Sequence, residues 1–213
     1  MSCQMYLITP PEIADGDIFL QELEAALSAA PVACLQIRFK TMDHSSLVQI
    51  GKDIVTLAQR YDTAVVINDS PDIALKIKAD GAHIGQDDMD YFSSRELLGK
   101  DAILGVTCHN SRDLALRAAE SGADYVAFGA FFETPTKTPK TRADMEILTW
   151  WQDMIETPCV AIGGITVDNA ADVIKAGADF IAVSSGVWAH PDGPAAAISQ
   201  FSQLCAQLAY ARP

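Results

Sequence analysis

The sequence predicts an α/β protein, a single (β/α)8 TIM barrel over residues 1–213. Three observations carry this. Eight short apolar runs rich in β-forming residues recur about every 25 residues. Amphipathic helical patterns separate most of them. No composition break, Pro/Ser linker or low-complexity stretch divides the chain. Continuous apolar runs suit strands buried on both faces, as in a parallel sheet. A length of 213 residues sits at the small end for such barrels. An open doubly wound sheet is the structural alternative. It usually shows a glycine-rich fingerprint after its first strand, where this chain has Thr9-Pro10-Pro11-Glu12.

The predicted strands, in order, begin with MYLIT at residues 5–9, ACLQIRF from 33, AVVIND from 64 and GAHIG from 81. They continue with ILGVTC from 103, DYVAFGA from 124, PCVAIGG from 158 and FIAVSSG from 180. Among the helices, DIFLQELEAALSA gathers Phe19, Leu20, Leu23 and Leu27 on one face. LVQIGKDIVTLAQRY does the same with Leu47, Ile50, Ile54 and Leu57. Ser70 and Pro71 form a start signal for a third helix, with Gly81 as its predicted stop. SRDLALRAAESG and TVDNAADVIKAG each open on a hydroxyl residue and end in glycine, and a last helix is predicted over residues 194–210. The fourth connection, DDMDYFSSRELLGK, is the weakest helical pattern.

Composition excludes several classes of function. At 49% hydrophobic and 20% charged residues the chain is an ordinary globular one, not a disordered one. A formal net charge of −13 is a poor footprint for nucleic acid or an anionic membrane. A small anionic ligand remains possible, because a few cations can build a positive pocket inside an acidic shell. No run approaches the ~18 apolar residues of a membrane span, and the first residues lack the basic flank and apolar stretch of a secretory signal. The five cysteines, Cys3, Cys34, Cys108, Cys159 and Cys205, are widely spaced with no C-x-x-C pair, which points to reduced structural thiols in a cytoplasmic protein. The sequence leaves room for a homo-oligomer.

Functional side chains of this architecture lie at the C-terminal ends of the strands and in the loops that follow. After the second strand, period-two alternation puts Gln36, Arg38 and Lys40 on one side and Ile37 and Phe39 on the other. An amide and two cations would then converge on the barrel mouth, an arrangement that calls for an anion. Snorkelling surface cations would be the purely structural explanation. Asn68-Asp69 ends the third strand and Gln86-Asp87-Asp88 follows the fourth. Carboxylates at adjacent strand ends can share Mg2+, which keeps waters and binds substrate phosphate; helix capping is the competing use. Thr107 has the opposite parity to Val106 and Cys108, and His109 is ambiguous. The segment Glu133-Thr134-Pro135-Thr136-Lys137 concentrates hydroxyls and a lysine, as binding loops do. Gly163-Gly164 and Ser184-Ser185-Gly186 stand where barrels of this class recurrently bind phosphate. Two anionic substrates meeting above one barrel is the reading of these ends together.

In this order and spacing, QIRFK, IND, HIGQDD, GVTCH, TPTK, AIGGIT and VSSG resemble the thiamine phosphate synthase (thiamine-phosphate pyrophosphorylase) family, over nearly the whole chain. The resemblance implies a transferase of thiamine biosynthesis. It would join 4-amino-2-methyl-5-hydroxymethylpyrimidine diphosphate to thiazole phosphate with Mg2+, releasing pyrophosphate. Carried over by motif, Gln36 reads the pyrimidine, while Arg38, Lys40 and Asn68 hold the diphosphate. Asp69 and Asp88 resemble the magnesium ligands, and Thr107 stands where the family usually has serine. Thr134, Pro135, Thr136 and Lys137 resemble the loop that touches thiazole phosphate and pyrophosphate, with Arg38, Lys40, Thr107 and Lys137 in the catalytic roles. Gly164, Ser184 and Ser185 match the thiazole-phosphate cradle. Phe39 replaces a common glutamate, Ser70 an aspartate, and Ala130 and Glu133 replace prolines. Glu133 places negative charge beside the phosphate loop.

Two rival readings stand beside this one. A thiazole tautomerase would keep the thiazole-phosphate half without diphosphate or metal machinery. Retention of Gln36, Arg38, Lys40, Asn68, Asp69 and Asp88 argues against it. A non-catalytic phosphometabolite-binding paralogue would keep the ligand set without turnover.

Overall fold

The computed structural model describes residues 3–133 and 142–208. Its strands are β1 (Gln4–Ile8), β2 (Cys34–Ile37), β3 (Ala64–Asn68), β4 (Gly81–Ile84), β5 (Ile103–His109), β6 (Tyr125–Gly129), β7 (Cys159–Ile162) and β8 (Phe180–Val183). Every neighbouring pair is parallel and β8 returns to β1, closing the barrel in chain order. That closure excludes the open doubly wound sheet. The helices are α1 (Gly16–Ala29), α2 (His44–Gln59), α3 (Pro71–Ile77), α4 (Tyr91–Leu98) and α5 (Arg112–Glu120), then α6 (Met145–Met154), α7 (Ala170–Lys175), α8 (Ser185–Trp188) and α9 (Pro194–Gln207).

Strand alternation sorts the core into two layers. Leu35, Ile37, Val65, Ile67, Leu104, Val106, Val126 and Phe128 face outward and pack on helix residues such as Leu23, Ile54, Trp151 and Phe201. Each such leucine or isoleucine contributes about 2 kcal/mol by leaving water. Tyr6, Ile8, Cys34, Val66, Tyr125, Ala127, Val160 and Ala182 form a second, smaller cluster inside the barrel. Gln36 shares the inward parity of Cys34, and Thr107 lies opposite to Val106 and Cys108, as the alternation predicts.

Helix starts follow local capping chemistry. Asp15, Asp43, Asp90, Ser111 and Asp144 accept hydrogen bonds from first-turn N–H groups of α1, α2, α4, α5 and α6. Asp43 moves the start of α2 to His44, ahead of its first apolar residue. Ser70 and Pro71 open α3 as predicted, but Lys78, at φ +59°, ends it. Gly81 instead begins β4, because a Cβ there would lie 1.8 Å from the Ile103 carbonyl oxygen. Only glycine lets β4 lie this close to β5. The fourth connection forms a helix, α4, that buries only Ser94 among its residues, which is why its apolar pattern is weak. Among the described residues no helix is long and apolar enough to cross a membrane, and all five cysteines are buried and unpaired by disulfides.

Candidate active site

A cavity of about 290 Å³ opens where the C-terminal strand ends meet. Gln36, Arg38, Asn68, Asp69, Asp88, Thr107, Gly164, Ser184 and Ser185 all line it, and His109 joins them. Side chains spread along the sequence are therefore brought to one rim. Lys40 does not line it: the residue is exposed, and its backbone N–H bonds the Pro11 carbonyl at 2.8 Å. β2 stops at Ile37, so strand alternation no longer governs position 40. Thr134, Pro135, Thr136 and Lys137 lie outside the described residues.

One wall is made of charge. The backbone N–H of Arg38 donates to Thr9 Oγ1 at 2.8 Å, Thr9 N–H to the Gln36 carbonyl at 3.0 Å, and Ser184 Oγ to the Thr9 carbonyl at 3.0 Å. Thr9, buried and on no motif, thus ties the ends of β1, β2 and β8 together. Asp69 holds a left-handed backbone, φ +64°, with its N–H on the His83 carbonyl at 2.8 Å. An acidic residue tolerates that conformation better than a branched one. Asp88 Oδ2 accepts the Gly85 N–H at 2.7 Å, which fixes the carboxylate on its own loop. Asp90 is spent on capping α4, and so the acidic run narrows to Asp87 and Asp88 at the cavity. Among the described residues no group of three or more His, Cys, Asp or Glu is arranged for a metal. The donor set is the two carboxylates of Asp69 and Asp88, hard oxygen ligands of the number Mg2+ commonly takes from protein. These residues fit magnesium.

The opposite wall is made of backbone. A Cβ at Gly164, where φ is +67°, would stand 2.2 Å from the Glu133 carbonyl oxygen. Phe131 N–H donates to the Ile162 carbonyl at 3.2 Å and Phe132 N–H to that of Gly163 at 3.0 Å. The chains after β6 and β7 therefore stay in contact beyond the sheet, at a spacing only glycine permits. Glu133 pairs with Arg142 Nη2 at 2.7 Å, which offsets the negative charge expected beside this wall.

Between the walls lies a floor that the motifs contain only in part: Gln36, His83 and Thr107 belong to them, whereas Tyr6 and Tyr125 do not. Gln36 Nε2 donates to Tyr6 Oη at 2.9 Å, and the Tyr6 and Tyr125 hydroxyls are 2.7 Å apart. Tyr125 Oη meets His83 Nδ1 at 2.9 Å, and His83 Nε2 meets Thr107 Oγ1 at 2.7 Å. The run crosses the barrel interior from β2 to β5 and ends at the cavity on both sides. Burial holds His83 neutral, with its pKa lowered to about 4; the Arg38 charge adds to this and Asp88 opposes it. Burial also pushes both tyrosines well above their usual range. Tyr6, His83 and Tyr125 read as ordinary members of apolar strands. Their signal is parity, since each polar tip shares the inward side with Gln36 or Thr107.

Comparison with known proteins shows the family. Residues 5–187 match a family model described as thiamine monophosphate synthase. A thiamine-phosphate synthase of Rhodospirillum centenum is 54% identical over 202 residues, covering 95% of this chain and 97% of its own. One from Hyphomonas neptunium is 50% identical over 210 residues, covering 97% and 95%. Among solved structures, a thiamine phosphate pyrophosphorylase from Pyrococcus furiosus superposes with a TM-score of 0.84 at 30% identity, covering 96% of both chains.

Proposed function

The chain belongs to the thiamine monophosphate synthase family, and on that premise we propose that its mouth joins 4-amino-2-methyl-5-hydroxymethylpyrimidine diphosphate to thiazole phosphate. The products are thiamine phosphate and pyrophosphate. The observation that supports this reading most is the shared cavity, with Arg38, Asn68, Asp69 and Asp88 on one side and Gly164, Ser184 and Ser185 on the other.

In this reading the bond between the pyrimidine methylene carbon and the diphosphate oxygen breaks, and its electron pair leaves with pyrophosphate. The thiazole nitrogen then gives its lone pair to that carbon. An electron-rich aminopyrimidine makes an early departure of the leaving group favourable. Arg38 carries charge to the departing oxygens, and the Asn68 amide donates to them. Asp69 and Asp88 would hold Mg2+, which when bound supplies further positive charge to the diphosphate. Gln36 and Thr107 orient the pyrimidine ring. Gly164, Ser184 and Ser185 hold the thiazole phosphate, so that its nitrogen is already placed when the carbon becomes electrophilic. No protein nucleophile is needed, and Cys108, whose thiol burial pushes up to about 12, would be a poor one. Five buried, reduced thiols suit the cytoplasm, where we place the enzyme.

The test is pyrophosphate release from the two substrates with Mg2+. Release that EDTA and Asp88→Asn abolish is the expected result. Metal-independent isomerisation of a thiazole precursor, with no pyrophosphate formed, would overturn the reading in favour of a tautomerase.

A further inference from the structure

The buried run Gln36–Tyr6–Tyr125–His83–Thr107 has a direction, and the direction decides what the mouth offers a ligand. Each hydroxyl has one proton to donate, and a neutral imidazole has one donor and one acceptor nitrogen. Tyr6 Oη already accepts from Gln36, so its own proton goes onward, either to Tyr125 or to the neighbouring Cys34 thiol. Sulfur is the weaker acceptor. At the other end, Tyr125 and Thr107 compete to donate to His83. A phenol is the better donor and an alcohol the better acceptor, so Tyr125 donates to Nδ1 and His83 Nε2–H donates to Thr107. Tyr125 reaches this position because residue 105 is glycine: a Cβ there would lie 1.9 Å from the Tyr125 ring. The imidazole also stacks on that ring, with centroids 5.5 Å apart and planes at 18°.

We propose that Tyr125, which does not line the cavity, is a positioning residue: its hydroxyl fixes His83 in the Nε2–H form and so makes the Thr107 hydroxyl a donor into the mouth. Gln36 spends an amide N–H inward and presents its carbonyl oxygen. The floor therefore offers one acceptor and one donor. An aminopyrimidine carries the complementary groups, an amino N–H and a ring nitrogen lone pair. This last step rests on the function proposed above; the tautomer does not.

The experiment uses 15N-histidine-labelled full-length protein at neutral pH, with the His83 signals identified by their loss in His83→Gln. Wild type should show His83 as the Nε2–H tautomer alone, and Tyr125→Phe, which keeps the ring, should shift it toward Nδ1–H. In steady state, Tyr125→Phe should raise KM for the pyrimidine diphosphate about tenfold, leaving KM for thiazole phosphate within about twofold and kcat little changed. An Nδ1–H wild type, or a Tyr125→Phe protein with an unchanged tautomer, would overturn the proposal. So would both KM values rising together with a loss of thermal stability, which would mark Tyr125 as packing alone. If wild type gives no pyrophosphate but shows the expected tautomers, the assigned substrate fails and the positioning role stands.

Discussion

In the reaction proposed above, the two walls of the mouth meet the same problem, holding a phosphate group, by different means. The wall built on β2, β3 and β4 uses side chains, those of Arg38, Asn68, Asp69 and Asp88. The wall after β6, β7 and β8 uses the chain itself, through Gly163, Gly164 and the turn at Ser184. A charge can therefore be lost from the first wall at the cost of chemistry, whereas a methyl group added to the second costs conformation. Function and stability are separable on one side of the cavity and fused on the other.

The largest effect should come from the first wall. Arg38→Ala should lower kcat/KM roughly a thousandfold, about 4 kcal/mol in barrier terms, with circular dichroism and melting temperature unchanged. A melting temperature that falls with the activity would erase the distinction between the walls. Gly164→Ala should do the reverse in order. Its positive φ and the Glu133 carbonyl 2.2 Å from the new Cβ should cost about 2 kcal/mol of stability in urea titrations, with KM for thiazole phosphate rising as the loop shifts.

The layer beneath both walls should respond to alkali rather than to substrate. Burial pushes the Cys34 thiol up to about 12, so the native state keeps its proton while the unfolded chain releases it near the ordinary thiol value. The folded pKa is the higher one, and this contribution is complete below about pH 8.5 and is lost as pH rises toward 12. Cys34 should account for about 1.5 kcal/mol of the difference between urea titrations at pH 8 and 10, so that the difference shrinks by that amount in Cys34→Ala, the buried Cys108 and Cys159 thiols contributing to the remainder. The smallest effect belongs to the exposed ion pair at the edge of the backbone wall. Glu133→Gln should change stability by no more than about 0.5 kcal/mol, and a large loss of turnover would show that Glu133 acts on the phosphate.

The barrel was legible because its outward faces obey one rule: apolar residues at alternate positions, such as Leu35 and Ile37 or Val65 and Ile67, have no other use than to bury themselves under helices. The charged wall was legible because Arg38, Asp69 and Asp88 are residues that a core rejects. Lys40 escaped the rule that placed Arg38, since the strand ends before reaching it. α6 carries a capped start at Asp144 and a buried Ile147, Leu148 and Trp151, but the polar loop ahead of it masked the pattern. The floor was hidden for a different reason. Tyr6, His83 and Tyr125 are amphipathic enough to pass as strand residues, and only closure of the barrel brings their polar tips together. Gly81 misled because a glycine that permits close strand contact looks, in one dimension, like one that stops a helix.

Among the described residues, Tyr6, Cys34, Val66, Tyr125 and Val160 pack as a plug inside the barrel under the mouth. Reactants and products must share a single doorway. Traffic then becomes part of the kinetics: a departing product that lingers at the threshold blocks the next arrival, and pyrophosphate should inhibit by standing where the incoming diphosphate has to go.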